Sequence, residues 1–475
     1  MKELIRAQLT VTCVNQTHLA IGNGQVDDTK YSTAEETQCE VQSLLRGVNG
    51  QPVLSASSLK GAISNKVSDQ GLKARLFGAT TTVNNSLVKT RGSVNIYAAL
   101  SEDEITSVTQ TRNAIDPITG AAKTNHLFAQ EWLKPQSKFT LNIEAAYICP
   151  NDLDALLKLL SQPLQLGRDK KNNFGLLSLH VDECKVLYKE KLQDWIGGKS
   201  PLATLYQDYA IPTPQPSQQD NQVTLGLALY SPDPILIACP ERQKQEKDKY
   251  KKAVEAYELK KSRGELVESD KLPAKPKDYY FKRNHDGKPF LPVTALRGVL
   301  QAQSKRIVRT LLPTNRDEQA VMQLVSPLWG DEKRQAGVFL TDAELVEPGE
   351  YQTHQQNMIA INRFTGGVKD GAMIQVEALE TTQPFNCTLK YRPNLHKDLT
   401  ATAILLMTLR DVMEQHIAIG ANKAKGYGRL QGVISFNGNE YHNFSDFFNA
   451  FTLQHKLNTA DLETALSALA ESKGA

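Results

Sequence analysis

FLPVTALRGVLQ, residues 290–301, sets an apolar pair and a proline ahead of a small hydroxyl residue, then Leu-Arg-Gly and a helical pattern. Read locally, a strand ends at Pro292, Thr294 caps a helix, and Arg297 sits in the first turn, a corner suited to an anion. VLSASSLKGAIS, residues 53–64, has the same shape, with Ser57 or Ser58 at the cap, Lys60 in the first turn, and Gly61 admitting another backbone. A cation in the first turn opposes the helix dipole unless an anion is bound there. Plain capping with a packing glycine explains one such stretch. Its recurrence with a basic residue points to phosphate.

The recurrence extends along the chain. Gly61 of SSLKG and Gly298 of TALRG are 298 − 61 = 237 residues apart. RLFGA, with Phe77 and Gly78, repeats as PLWGD, with Trp329 and Gly330, and NAIDPITGAA repeats as IAINRFTGGV. Ile21 matches Ile237, Glu131 matches Glu377, Phe139 matches Phe385, and GRDKKNNFG (167–175) matches GANKAKGYG (420–428). The offset drifts as insertions require, and the order never changes. The chain is a tandem duplication.

The first copy is expected over residues 1–205, a Pro- and Gln-rich linker over 206–222, the second copy over 223–440, and a helical extension over 441–475. A charged insertion at about 240–276 lies within the second copy and reads as an exposed helix or a loop. Each copy alternates strands with two helices, which predicts a small α+β sandwich whose helices cover one sheet face and leave the other for a ligand. At 475 residues with 40% hydrophobic content and net charge +3, the composition suits two or three soluble domains and does not by itself announce a nucleic-acid binder. No apolar run reaches the roughly 20 residues of a membrane span. The start lacks a signal-peptide core, and a cytoplasmic protein is expected. Six scattered cysteines without a CxxC pair indicate neither zinc nor a disulfide framework.

The glycine-rich turns carry most of the chemistry. Each brackets a basic loop between glycines, so backbone N–H groups together with Arg168, Lys170 and Lys171, or Lys423, Lys425 and Arg429, form a phosphate cradle. Neither fits a P-loop or a dinucleotide fingerprint, and two cradles in one chain suit extended RNA backbone. Among the acids, Asp27 and Asp28 lie in the loop after the first strand, Glu40 lies nearer the helix start, and Asp278 occupies the matching connection of copy two. A carboxylate beside phosphates is costly unless it holds a metal or takes a proton, although an exposed loop aspartate often only aids solubility. The nine histidines show no metal spacing and no match between copies.

KPFLPVTALRGVLQ, QPVLSASSLKGAIS and the two glycine-rich turns resemble the RAMP superfamily of CRISPR systems, most of all the Cas-seven-like backbone subunits of type III effector complexes. The pattern appears twice, so the chain looks like a fusion of two such subunits. It departs where the family has Pro-Gly-Ser-Ser: here stand Ser55-Ala56-Ser57-Ser58 and Pro292-Val293-Thr294-Ala295. The resemblance implies two RRM-like (ferredoxin-like) RAMP domains that lie along CRISPR RNA. It implies thumb hairpins that include 112–120, with Arg112, and 361–367, with Arg363. Counted from the family's Gly-x-Pro, the loop aspartate that cleaves target RNA falls on Asp278 in copy two and on Glu40 or Val41 in copy one. Asp27, Asp28 and Asp278 are then the metal candidates, for Mg2+ or Mn2+, with Glu40 a further catalytic candidate. CRISPR RNA, complementary target RNA and other effector subunits are the implied partners, and no membrane. A guide-binding scaffold that does not cut is the alternative. A guide-processing endoribonuclease would want a matched catalytic His or Tyr.

Overall fold

The computed structural model describes residues 4–27, 41–83, 86–101, 103–115, 122–198, 201–212, 222–263, 271–284, 286–312, 318–331, 334–345, 351–369, 373–392 and 398–471. The chain divides into two units: residues 1–31, 39–113 and 124–219 form one, and residues 32–38, 114–123 and 220–475 the other.

In the first unit Leu4–Asn15 alternates buried and half-buried residues, the period of a strand with one face in the core. It runs antiparallel to Leu176–Tyr188 on one side and Lys138–Ala146 on the other, with Leu9 opposite both Cys184 and Ile143. Val94–Ile96 pairs beyond Lys138–Ala146. The principal strands therefore lie in the order 4-1-3-2. Helix Ala56–Ser64 comes between the first and second of them and helix Pro150–Leu160 between the third and fourth. The latter helix buries Leu153, Leu156, Leu157 and Leu160, one face at helical spacing.

The second unit repeats the plan. Val223–Tyr230 lies between Phe385–Tyr391 and Arg429–Phe436, and Val338–Leu340 pairs with the outer edge of Phe385–Tyr391. Val223, Leu225, Leu227 and Leu229 point inward. Helices Val293–Leu311 and Leu399–Met413 take the two connecting places. Both units are thus α+β, RRM-like (ferredoxin-like) folds.

The repeated Phe-Gly and Trp-Gly motifs end additional helices, Gln70–Phe77 and Glu318–Trp329. The charged insertion forms helix Pro240–Ser262, with no buried residue. The C-terminal region holds helices Phe444–His455 and Thr459–Glu471. A smaller sheet stands at the root of each thumb. One orders Gly22–Asp27, Val41–Leu44, Ala122–Leu133 and Ser107–Ile115, the other Tyr279–Tyr280, Ile374–Thr381 and Tyr351–Met358. The second thumb turns at Asn362, whose side chain accepts from the amides of Phe364 and Thr365, and Phe364 stands fully exposed at the tip. Among the described residues no helix is long and apolar enough to cross a membrane, and Cys13, Cys149, Cys184, Cys239 and Cys387 are free thiols.

Candidate nucleic-acid interface

The two glycine-bracketed loops match bond for bond. Gly167 and Gly420 adopt left-handed backbones (φ 83° and 90°), and so do Gly175 and Gly428 (φ 74° and 72°). The Gly175 N–H donates to the His18 carbonyl at 2.8 Å, and the Gly428 N–H to the Pro234 carbonyl at 2.9 Å. Next to the opening glycine, the Arg168 N–H donates to Ala20 (3.0 Å) and the Ala421 N–H to Leu236 (2.7 Å). Each loop closes with a single 3-10 turn, Lys170–Asn172 or Lys423–Lys425, entered from a left-handed Asp169 or Asn422. The aromatic before the last glycine is an anchor. Phe174 packs edge-on against Trp132 at 4.8 Å, while Tyr427 is buried with Leu236, Val376 and Ala378.

This bracing leaves Lys170, Lys171, Lys423 and Lys425 exposed on a fixed backbone. The Lys425 ammonium lies 3.1 Å from the Met358 sulfur, which brings the second loop against the thumb-root strand. Arg168 is also exposed, and its guanidinium lies over Gly22, at the start of the strand that ends in Asp27. Arg363 is exposed in the second thumb turn. The Arg112 backbone lies in strand Ser107–Ile115, and its side chain is outside the described residues. Arg429 departs from the expectation, because Asp233 grips its guanidinium at 2.6 and 3.3 Å.

The helix starts need correction. Ser55, not Ser57 or Ser58, caps the first helix. Its hydroxyl accepts from the Ser58 amide (3.3 Å) and donates to the Ser58 hydroxyl (2.7 Å). Ser57 is exposed and Ser58 half-buried within the helix. Pro292 caps the second, where the Asp342 carboxylate takes the Val293 N–H at 2.6 Å. Thr294 therefore lies inside that helix. Lys60 and Arg297 are each the fifth residue of their helices, past the turn where the dipole argument applies. Lys60 is half-buried. Arg297 is buried, donates to the Trp329 carbonyl and lies 5.4 Å from the Trp329 ring. Its anion is internal, the carbonyl end of helix Glu318–Trp329, so Arg297 is a packing residue and not a phosphate ligand. Among the described residues nothing lies within 4 Å of a Cβ placed at Gly61 or Gly298, so no described backbone approaches either closely.

The acids separate by register. Asp278 exchanges two hydrogen bonds with Gln375: its N–H donates to the Gln375 carbonyl (2.9 Å), and its carboxylate accepts the Gln375 N–H (2.8 Å). The next residues, Tyr279 and Tyr280, run parallel to Val376 and Glu377. In the first unit Val41 and Gln42 run parallel to Ala129 and Gln130. With Glu131 matched to Glu377, the partner of Asp278 in the first copy is Val41, at the 237-residue offset of the helix starts. Val41 is buried and apolar. Asp27 pairs with Val41 from the adjacent strand, so the backbone brings an acidic residue to that point by another route. The Asp27 side chain, Asp28 and Glu40 lie outside the described residues.

Among the described residues no group of three His, Cys, Asp or Glu could hold a metal ion. Asp278 alone suits a hard cation such as Mg2+ only if substrate phosphates supply further oxygens, the usual manner of binding for that ion.

One matched pair had no assigned role in the sequence. Glu131 is buried and accepts from the Leu44 amide (3.0 Å), the Ser107 hydroxyl (2.5 Å) and the Arg46 guanidinium. Burial alone would raise its carboxyl, but the Leu44 and Ser107 hydrogen bonds and the Arg46 charge outweigh it and hold the group below the usual glutamate range. A depressed folded-state pKa adds stability above the ordinary value of about 4.3, which is lost as pH falls through the folded value. In urea, the first unit's unfolding transition should weaken as pH falls below the ordinary glutamate value of about 4.3, and Glu131→Gln should flatten that dependence. An unchanged slope would show that the carboxylate is not charged in the fold.

A family model described as the RAMP superfamily matches residues 12–178 and 195–431. No curated protein matches. Among solved structures the chain is similar to one titled as the cryo-EM structure of a type III-B Cmr-beta complex in the apo state, at 11% identity and a TM-score of 0.29, over 37% of this chain and 97% of that one.

Proposed function

We propose, from the premise that the chain belongs to the RAMP superfamily, that it is a guide-binding subunit of a CRISPR type III effector complex and cleaves complementary RNA through its second copy. The observation that carries guide binding is the twofold occurrence of a cation-bearing cradle braced on the segment that follows each first strand. A preformed loop meets phosphates without first being ordered, and regular spacing in the chain suits a regular polyanion.

Cleavage is assigned to Asp278. A carboxylate fixed by Gln375 beside the thumb root can orient a target 2′-hydroxyl for in-line attack on the adjacent phosphate. The 2′-oxygen gives up its proton to solvent and bonds to phosphorus as the bond to the 5′-oxygen breaks; the 5′-oxygen takes a proton from water, leaving a 2′,3′-cyclic phosphate and a 5′-hydroxyl. Asp278 would be the residue to hold a divalent cation such as Mg2+, which would supply charge neutralisation at the scissile group. For copy one, the buried Val41 at the matching register favours a scaffold role, with Asp27, Asp28 and Glu40 the remaining candidates.

The direct test assembles the full chain on guide RNA and adds labelled complementary RNA with and without EDTA. Cutting that stops with EDTA supports the reading; binding without any cut leaves the scaffold alone. A second expectation concerns the cradles. Replacing Lys170, Lys171, Lys423 and Lys425 with Ala should reduce the slope of log affinity against log salt by about 0.7 for each phosphate no longer neutralised, whatever the guide sequence. An unaltered slope would place the phosphates elsewhere.

A further inference from the structure

Glu377 is the partner of Glu131 in the duplication, yet it holds different things. In the first unit Glu131 grips the segment around Leu44 and Arg46. In the second, Arg283 takes the place of Arg46 at the 237-residue offset but donates to the Tyr351 hydroxyl (2.8 Å) and the Gly287 carbonyl (3.0 Å). Glu377, only 5% exposed, receives Arg242 at 2.6 Å and Lys277 at 3.1 Å. Lys277 directly precedes Asp278, and its N–H donates to the Tyr280 hydroxyl at 3.0 Å. Both cations also lie over the Tyr280 ring, Arg242 at 4.7 Å and Lys277 at 5.9 Å. A single carboxylate thus ties the first turn of the charged insertion to residues 277–280. In the copy with aspartate at this register the carboxylate holds the preceding residue, Lys277; the residue preceding Val41 lies outside the described residues.

We infer that Glu377 is a positioning residue for Asp278, acting through Lys277, and that the inserted helix completes this clamp with Arg242. The inference rests on the reading of Asp278 as the cleaving residue. The buried carboxylate holds Lys277, the residue before Asp278, and Arg242 of the inserted helix, while Gln375 holds Asp278 itself through its N–H and carboxylate. Groups that orient a reacting residue without touching substrate change rate by about 10- to 100-fold when removed.

The test uses the full chain assembled on guide RNA. Glu377→Gln should lower kcat for one cut by about 10- to 100-fold, with KM, target affinity and any other cut unchanged. Lys277→Met should do the same, and serves if the glutamine variant folds poorly. Adding Glu377→Gln to Asp278→Asn should cost nothing further, since both act on one element. Amide exchange should speed up over 277–280 and stay constant over 420–428. If Asp278→Asn stops the cut but Glu377→Gln and Lys277→Met cut at the ordinary rate, the positioning role is overturned and the assignment of Asp278 stands. If Asp278→Asn cuts normally, both fail, and amide exchange alone decides whether the clamp exists.

Discussion

Asp278→Asn is expected to reduce one target cut by at least about 100-fold, the scale of losing a group that acts in the transition state, while target binding stays within about twofold. Asparagine keeps an oxygen that can accept the Gln375 N–H, so the thumb-root pairing survives and only the charge is removed. Affinity comes from base pairing and many backbone interactions, which this residue does not supply. Single-turnover cleavage on a denaturing gel, beside a filter-binding measurement, separates the two effects. Equal loss of both would mean that Asp278 holds RNA and does not cut it. Full-rate cutting would leave the second copy a scaffold. Asp27→Asn, assayed in parallel, asks the same of the first copy: a second cut that disappears independently would give that copy its own chemistry.

Gly428→Ala is expected to produce the largest loss of stability. The residue sits at φ 72°, and an added Cβ would stand 2.0 Å from the Ile419 carbonyl oxygen, a backbone atom that no rotamer change can move. Left-handed strain costs about 1–3 kcal/mol, and the overlap adds about 1–3 more. At about 2–4 °C per kcal/mol for a unit of this size, the second unit's melting should fall by roughly 4–24 °C. Gly175→Ala, at 1.7 Å from the Leu166 carbonyl oxygen, should do the same in the first unit. The control is Gly298→Ala, where nothing lies within 4 Å and alanine favours the helix by up to about 1 kcal/mol. A Gly428→Ala chain that melts like the parent would mean that the cradle is not rigid.

These outcomes mark what the residue order carried. The duplication and both cradles were legible because a left-handed residue pressed against a carbonyl must be glycine, so Gly167, Gly175, Gly420 and Gly428 kept their places as the residues between them changed. Arg297 misled because spacing shows a cation near a helix start but not whether a distant helix, ending at Trp329, turns its carbonyls toward it. The run Ser55-Ala56-Ser57-Ser58 offers three caps, and only the backbone angles choose Ser55. Asp278 could be counted to, and in copy one the same count reached Glu40 or Val41; only strand register chooses Val41. Glu131 and Glu377 did leave a signal, a charged residue at a constant offset within β-rich apolar runs, without the partners that would explain it.

The substitution of a buried valine for the aspartate at the matched register turns a gel into a counting device. Cuts made by the second copy alone number one per chain, so the fragments of a fully paired target report how many of these polypeptides line the guide. Cuts made by both copies come in even numbers. An odd number of cuts would therefore exclude cutting by both copies of every chain.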